Sequence, residues 1–580
     1  MTTRLYSRFR KSDNVIPMLW LLLLILMFFP AEVRSIESVI YWNELLNERS
    51  AGSDYEGIPA DPQYWPEPTH FIAPSGSDDN SGTTSGDPWG TFEHAVRQLK
   101  PGDVLGVMDG KYYPKTTGLL HINGGHRGNA MSGLPDKPIT VRAVNERVPI
   151  LKSDGLIPGI YIARTRYWNI LGLTVTGEDK ATDSTNTLHL GSPGMESVYS
   201  LVEVNRSNRI TLKRILASHS NRLGLNSNNH IYLLLNSSNV LVEESEAYLH
   251  HRHAFIAWQT ENITFRRNYI HPREHYKGDM IEEQFAQGRR FSDEAIAFYR
   301  GSWGLVENCI NEGTNVGFHA HGGDTFARNL GGSYNEFYGN IGLNNFHGSR
   351  IDARRTPYIE AKPAIGNKFV DFLVIGQPGI GLWHSSATDN INRNITLYGG
   401  EGTGFRADSR SEPPCQEVEQ YGGCTFTLTN TLAFNNKGYG ISVIEQDQFL
   451  IEYANAWNNA EGNFDGVDYS IASDQDKIRH SKSVKPVGMG LEEGECIVFV
   501  PEDSNMKGAG KDGDDIGANI LYRYKDGKLT NNPLWNAVSG EFPHGALVEG
   551  INDLPGESLF DVHKRLNVNH NGCWLPYSEQ

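Results

Sequence analysis

Between about residues 138 and 464, apolar and polar positions alternate with a period of two over short runs, and most runs open on or near an asparagine. Examples are Asn169-Ile-Leu-Gly-Leu-Thr-Val, Asn208-Arg-Ile-Thr-Leu-Lys-Arg-Ile, Asn239-Val-Leu-Val-Glu-Glu-Ser and Asn262-Ile-Thr-Phe-Arg-Arg-Asn268. Later copies read Trp303-Gly-Leu-Val-Glu-Asn308, Asn335-Glu-Phe-Tyr-Gly-Asn340, Asn367-Lys-Phe-Val-Asp-Phe and Asn394-Ile-Thr-Leu-Tyr. Alternation of period two predicts half-buried strands. Recurrence at an uneven spacing of about 23 to 39 residues predicts a solenoid whose strands are fixed and whose turns vary. Stacked asparagines then form a ladder from coil to coil. The predicted fold is all-β, a right-handed parallel β-helix over 138–464. Residues 36–137 form an N-terminal extension and cap, and 465–580 the C-terminal coils and an irregular cap.

Aligning the second strand of successive coils locates a working face. Phe255, Ile296, Phe318, Ile351, Leu382, Phe405 and Ile441 fall in one inward row, and Ala257, Phe298, Ala320, Ala353, His384, Ala407 and Val443 in the next. Side chains alternate faces along a strand, so the residues between point outward. One outward row reads Ile256, Ala297, His319, Asp352, Trp383, Arg406, and the other Trp258, Tyr299, His321, Arg354, Ser385, Asp408. Just ahead lie His250-His-Arg-His253, Asp293-Glu294 and Ser349-Arg350, with His253 and Glu294 at equivalent places on adjacent coils. An insertion after Ile270 is expected to wall the groove and to carry His275, Tyr276 and Lys277 over the sheet.

Composition narrows the partners. The formal charge is −17, and the first 35 residues are net basic, so the remainder is more acidic still. Such a chain lacks the basic field of a nucleic-acid or anionic-membrane binder. An anionic polymer fits only where a local cluster of arginine and histidine reverses that field. Arg4, Arg8, Arg10 and Lys11 precede an apolar run from Ile16 to Phe29, and Val33-Arg34-Ser35 offers a cleavage site. Residues 1–35 are therefore read as a signal peptide, giving a secreted or periplasmic protein, expected to be a monomer. Of five cysteines, Cys415 pairs with Cys424 and Cys496 with Cys573, which suits an oxidising compartment, while Cys309 is a buried thiol.

The entrance, Phe71-Ile-Ala-Pro-Ser-Gly-Ser-Asp-Asp-Asn-Ser-Gly, Pro88-Trp-Gly-Thr-Phe, Pro101-Gly-Asp-Val-Leu and Asp109-Gly-Lys-Tyr-Tyr, resembles the pectate-lyase-like superfamily of parallel β-helices. Thr91 to Lys100 is then the helix that caps the core. The exit, Lys507-Gly-Ala-Gly-Lys-Asp-Gly-Asp-Asp-Ile-Gly-Ala518, also resembles that superfamily. The resemblance implies polysaccharide as partner, and it spans lyases, hydrolases, epimerases and non-catalytic surface proteins.

β-Elimination on a uronate needs a base near neutral pKa and groups that stabilise the enolate-like carboxylate. His319 and His321 are candidate bases, with Lys277 or Tyr276 as rivals. Arg350 and Arg354 are candidate clamps, and Asp352 orients His319. Trp258, Tyr299, Trp383, Arg406, His253 and His275 are candidate sugar contacts. Asp279, Glu282, Glu283, Asp293 and Glu294 are candidate calcium ligands, with Asp293 and Glu294 foremost. His319-Ala-His321 with His347 is a weaker zinc pattern, for want of a third ligand.

The leading expectation is a lyase acting on an acidic polysaccharide. Alternatives are a C5-epimerase, a binding-only surface protein, or a polygalacturonase-like hydrolase, whose Asp-Asp and Arg-Ile-Lys strands resemble Ser292-Asp-Glu294 and Gly348-Ser-Arg-Ile-Asp352. That last resemblance breaks at His253, at Asn315-Val-Gly317 and at Asp352, while Glu294 and Asp352 stand as its carboxylate pair.

Overall fold

A computed structural model describes most of residues 62–534, together with 58, 59, 568, 572 and 573. The longer stretches outside the described residues are 1–57, 178–198, 221–228, 272–293, 323–330, 409–422, 468–476 and 535–567. The signal segment, His275, Tyr276, Lys277, Asp279, Glu282, Glu283, Asp293 and Cys415 all lie there.

From Pro59 onward the chain winds through three parallel strand ladders, one strand of each per coil. A representative turn of the coil runs Asn229–Leu235, Ser238–Glu243 and Glu246–Tyr248 before returning to the first ladder at His253–Trp258. The second ladder starts at His70–Ile72 and reaches Ile478–Arg479, so parallel pairing extends beyond 138–464 at both ends. This is a parallel β-helix. Its corners explain much of the repeat. Arg214, Glu244, Arg267 and Asn308 take the same left-handed conformation (φ 57, 52, 50 and 50°) between the second and third ladders, and Gly339 follows in that place. Asparagine tolerates this region best among non-glycine residues; Asn394 serves such a corner at φ 55°, while Asn239 and Asn262, at φ 53 and 55°, are the second residues of their second-ladder strands. Side-chain stacking also occurs, as where Asn430 Nδ2 donates to Asn394 Oδ1 at 3.0 Å. Asn335 Nδ2 donates to Asn367 Oδ1, and Asn367 Nδ2 to Asn390 Oδ1, each at 3.2 Å and fully buried.

The helix α1 (Phe92–Gln98) is capped by Thr91, whose hydroxyl accepts from the His94 N–H. Phe92, Ala95 and Val96 on its inner face join the solenoid core. The first ladder carries the residues of interest on β1 (His253–Trp258), β2 (Glu294–Tyr299), β3 (Val316–His321), β4 (His347–Asp352), β5 (Leu382–Ser385) and β6 (Phe405–Asp408). From Phe255 and Ile296 onward the described residues of these strands keep the expected faces, Ala353 lies outside the described residues, and the pairing of β4 needs one correction. Phe318 pairs with Ser349, not Ile351, and Ile351 sits beside Ala320 and His384. The strand is displaced by two residues, which preserves its faces but changes every neighbour. Phe372 packs on Phe318 at 5.2 Å and fills that level of the core, so a small serine suffices there.

Residues 489–534 return along the outer side of the third ladder. Met489, Ile497, Val498, Val500, Met506, Ile516 and Ile520 cover Tyr269, Ile310, Ile341, Leu373 and Leu432. Cys496 and Cys573 are bonded, with Cα atoms 3.9 Å apart, Cys424 is disulfide-bonded, and Cys309 is a buried thiol pushed up to about 12 by burial. Asp514 and Asp515 pair with Arg393 and Lys507, so that acidic loop is structural. At the corner between the second and third ladders lies a buried ionic lattice. Lys213 meets Glu243 at 2.6 Å, Arg267 meets Glu243 and Glu244 at 2.6 and 2.8 Å, and Arg266 meets Glu307 at 2.7 Å.

Candidate active site

The alternation on β1 and β2 breaks by one residue, and that break assembles the site. Ala254 and Phe255 both enter the core, as do Ala295 and Ile296. The preceding residues, His253 and Glu294, are thereby turned to the outer face, where plain alternation would have sent them inward. They pair across the ladder as expected. His319 and His321 project from β3 on that same face.

A chain of polar contacts then runs along the ladder. His230 Nδ1 lies 2.9 Å from His253 Nδ1, and His253 Nε2 lies 3.0 Å from Glu294 Oε2. Glu294 Oε1 accepts from the Tyr299 hydroxyl at 2.7 Å and from His319 Nδ1 at 2.9 Å. The other nitrogen of His319 meets Asp352 Oδ1 at 3.1 Å. His321 Nδ1 makes a short contact to that same oxygen, while Arg350 Nη2 is 2.9 Å from Asp352 Oδ2. The Arg350 guanidinium stacks over Trp383, its Cζ 4.5 Å from the ring centroid. Trp383 Nε1 and the Ser385 hydroxyl both donate to Asp408 Oδ1 at 3.0 Å, and Arg406 holds the other Asp408 oxygen at 2.7 Å.

Protonation follows from these contacts. Burial opposes charge on Glu294 and Asp352, but their histidine partners, with Arg350 beside Asp352, hold both carboxyls well below the usual range. An ionised carboxylate only accepts, so each facing imidazole nitrogen carries a proton. His319 has a carboxylate at both nitrogens. Burial alone would lower its pKa, yet Glu294 and Asp352 lift it to about 9, making it an imidazolium at neutral pH. His321 has a single carboxylate, and burial prevails to lower its pKa. Its neutral form therefore carries the proton on Nδ1 and a lone pair on Nε2, which has no hydrogen-bond partner among the described residues.

Several expectations need correction. The displacement of β4 places Arg350 opposite His319 and Asp352 opposite His321. Arg354 does not join this sheet; its backbone pairs with Lys362 in a separate two-stranded ribbon. His253 is fully buried beside His230, which removes it as a sugar contact. His230 went unseen in the sequence, although it occupies the His253 position one coil earlier. Trp258, Tyr299 and Trp383 are half-buried and offer partial ring faces. Beside Trp258 and Tyr299, the outer face carries Leu233, Leu235, Ile256 and Ala297.

Metal is a separate question. Atoms of His319, His321 and Asp352 lie within 4.8 Å of one another, so these three could hold a divalent transition metal, with Glu294 orienting His319 from behind. Asp352, not His347, is thus the third group. His347 Nδ1 instead accepts from the Ile380 N–H, and burial takes its pKa down to about 3. Calcium takes roughly six to eight oxygen ligands. Glu294 faces two imidazoles and a phenol, so the described residues do not compose such a cage.

No family model matches the chain, and no curated protein does. Among solved structures it is similar to a rhamnogalacturonan lyase at 15% identity, covering 80% of this chain and 97% of that one, with a TM-score of 0.38. It is also similar to a lacto-N-biosidase from Eubacterium ramulus (12% identity, 59% and 64% covered, TM-score 0.36). A third is the A-module of the Azotobacter vinelandii mannuronan C-5 epimerase AlgE6 (10%, 66% and 91%, 0.38). These likenesses are too distant to assign a substrate. The chemistry rests on the residues.

Proposed function

We propose that the protein is an exported enzyme that cleaves a uronate-containing polysaccharide by β-elimination, with His321 as base and Arg350 as carboxylate clamp. The observation that carries this reading is Asp352. One of its oxygens holds His321 and the other holds Arg350. A neutral base and a cation are thus fixed on the two sides of a single carboxylate. Proton removal beside a carboxylate requires that pair, because negative charge moves onto the substrate carboxylate as the base takes the proton. His321 Nε2 accepts the C5 proton, and the exposed part of the Arg350 guanidinium meets the developing enolate. The imidazolium of His319 adds positive charge from behind. The C4–O bond then breaks as the C4=C5 double bond forms, and the glycosidic oxygen leaves as a hydroxyl that takes its proton from water, giving an unsaturated uronate.

Hydrolysis fits less well. It needs a carboxylic acid that stays protonated near neutral pH. Glu294 and Asp352 are both held ionised by their histidines.

The test incubates the secreted protein with pectate, alginate and chondroitin and follows ultraviolet absorbance of the unsaturated product. That absorbance, lost in His321→Ala, is the expected result. New reducing ends without it would replace elimination by hydrolysis. Deuterium uptake from solvent without chain cleavage would make the protein an epimerase, and none of the three would make it a binder.

A further inference from the structure

Far from the histidine cluster, a cavity of about 550 Å³ opens on the corner that follows the first ladder. It is lined by Arg164, Arg166, Arg206, Asn208 and Asn236, with Ser132 on its rim. Arg164, Arg206 and Asn236 occupy the same place on three successive coils, each in the left-handed conformation at φ 51, 49 and 49°. The geometry therefore repeats donors at the rung spacing. All three arginines are exposed, and none forms an ion pair among the described residues. In a chain of net charge −17, three unpaired guanidinium groups around one cavity form a local reversal of field. Glu203, on the same strand as Asn205, accepts from Ser200 and Asn205 at 2.9 and 3.1 Å and forms no ion pair with these arginines among the described residues.

The cavity is in line with the candidate active site. Ala163 and Asn205, which immediately precede Arg164 and Arg206, belong to one register row with Leu235, Trp258, Tyr299, His321 and Asp352. Four rungs separate Asn205 from His321, about 19 Å at the usual strand spacing. Between them lie the half-buried rings of Trp258 and Tyr299, and Arg300 stands over Trp258 at 6.0 Å.

We propose that Arg164, Arg166 and Arg206 form a remote subsite that binds carboxylates of the same polyuronate chain whose scissile residue lies at His321. Identification of the ligand as a polyuronate rests on the elimination reading; the existence of an anion site does not. A strand of sugar laid along the row would stack on Trp258 and Tyr299 and place a uronate among the guanidinium groups, whose planar forks suit carboxylates. Short substrates would miss this subsite.

The test titrates the full chain carrying His321→Ala, which prevents turnover, with a galacturonate trisaccharide, a galacturonate octasaccharide and the corresponding alginate oligomers. Adding Arg164→Ala and Arg206→Ala should weaken octasaccharide binding at least about tenfold and leave trisaccharide binding unchanged. The lost affinity should be the salt-sensitive part. An unchanged melting midpoint is expected, because both side chains are exposed. Octasaccharide affinity that ignores both substitutions overturns the proposal, whatever the turnover. So does arginine-dependent binding of a sulfated oligosaccharide with no binding of any uronate. Arginine-dependent uronate binding in a protein whose unsubstituted form eliminates nothing would uphold the subsite and refute the elimination reading alone.

Discussion

Two buried charge networks lie on opposite sides of the same solenoid, and they differ in whether their cations are permanent or titratable. At the corner between the second and third ladders, Lys213, Arg214, Arg266 and Arg267 interlock with Glu243, Glu244 and Glu307. On the first ladder, His253, His319 and His321 interlock with Glu294 and Asp352. Both are nearly dry. The first uses permanent cations, and several of its members hold two or more partners. Even Asp526 from the C-terminal ribbon is recruited, at 2.7 Å from Arg266. The second uses imidazoles whose charge depends on neighbours, and among the described residues it leaves His321 Nε2 without a hydrogen-bond partner. Buried charge by itself therefore does not separate the two networks. A titratable member with a free edge does.

The sharpest way to break this contrast is to remove one acid from the first network. Glu243→Ala leaves Lys213, Arg266 and Arg267 short of a partner in a buried place, and should cost about 3–5 kcal/mol in urea unfolding. Turnover per folded molecule should not change. A mild loss would mean that water reaches the lattice and that the two networks differ less than their geometry implies.

The second network should behave in the opposite way. His321→Ala is expected to lower turnover by at least about 100-fold. Its melting midpoint should stay close to that of the parent, since the ring makes one hydrogen bond and Asp352 keeps His319 and Arg350 as partners. A large drop in midpoint with turnover retained would reverse the assignment.

Stability against pH sharpens the comparison further. His319 rises from 6.5 in the unfolded chain to about 9 in the fold. A raised folded pKa gives stabilisation that is complete below about 6.5 and is lost as pH rises through 9. Melting midpoints should fall over that window, and His319→Asn should flatten the profile. The arginine lattice contributes nothing there, so an unaltered decline in His319→Asn would place its origin elsewhere.

The smallest effect serves as a reference. Lys437 and Glu401 form an exposed pair at 2.5 Å, with side chains 68% and 58% accessible. Lys437→Ala should change stability by less than about 0.5 kcal/mol and leave turnover intact.

The sequence revealed faces better than neighbours. Alternation identified Phe255, Phe318, Leu382 and Phe405 as inward and His319, His321 and Trp383 as outward, because burial enforces a period of two on every strand. Pairing between coils was read by matching large apolar residues. That failed on β4, where Ser349 takes the place expected of Ile351 because Phe372 supplies the bulk from another ladder. The roles of Arg350, Asp352 and Arg354 changed with it. Glu294 was found by its alignment with His253, yet its outward aim came from a break in alternation that no periodicity encodes. His230 was legible in principle, from the same alignment carried one coil back.

The C-terminal return segment gives the molecule an order of completion. Tyr269, Ile310 and Ile341 are made early, but their outer faces are covered by Ile497, Val498, Met506 and Ile520, which are synthesised later. Asn308 and Asp371 likewise wait for Tyr524, which donates its backbone N–H to the side-chain amide oxygen of the first and its hydroxyl to the carboxylate of the second. A nascent chain stopped before Met489 would present a wet apolar stripe along several finished coils. Synthesis and maturation are thus separate events, and truncation from the C-terminal end harms coils that are themselves intact in sequence.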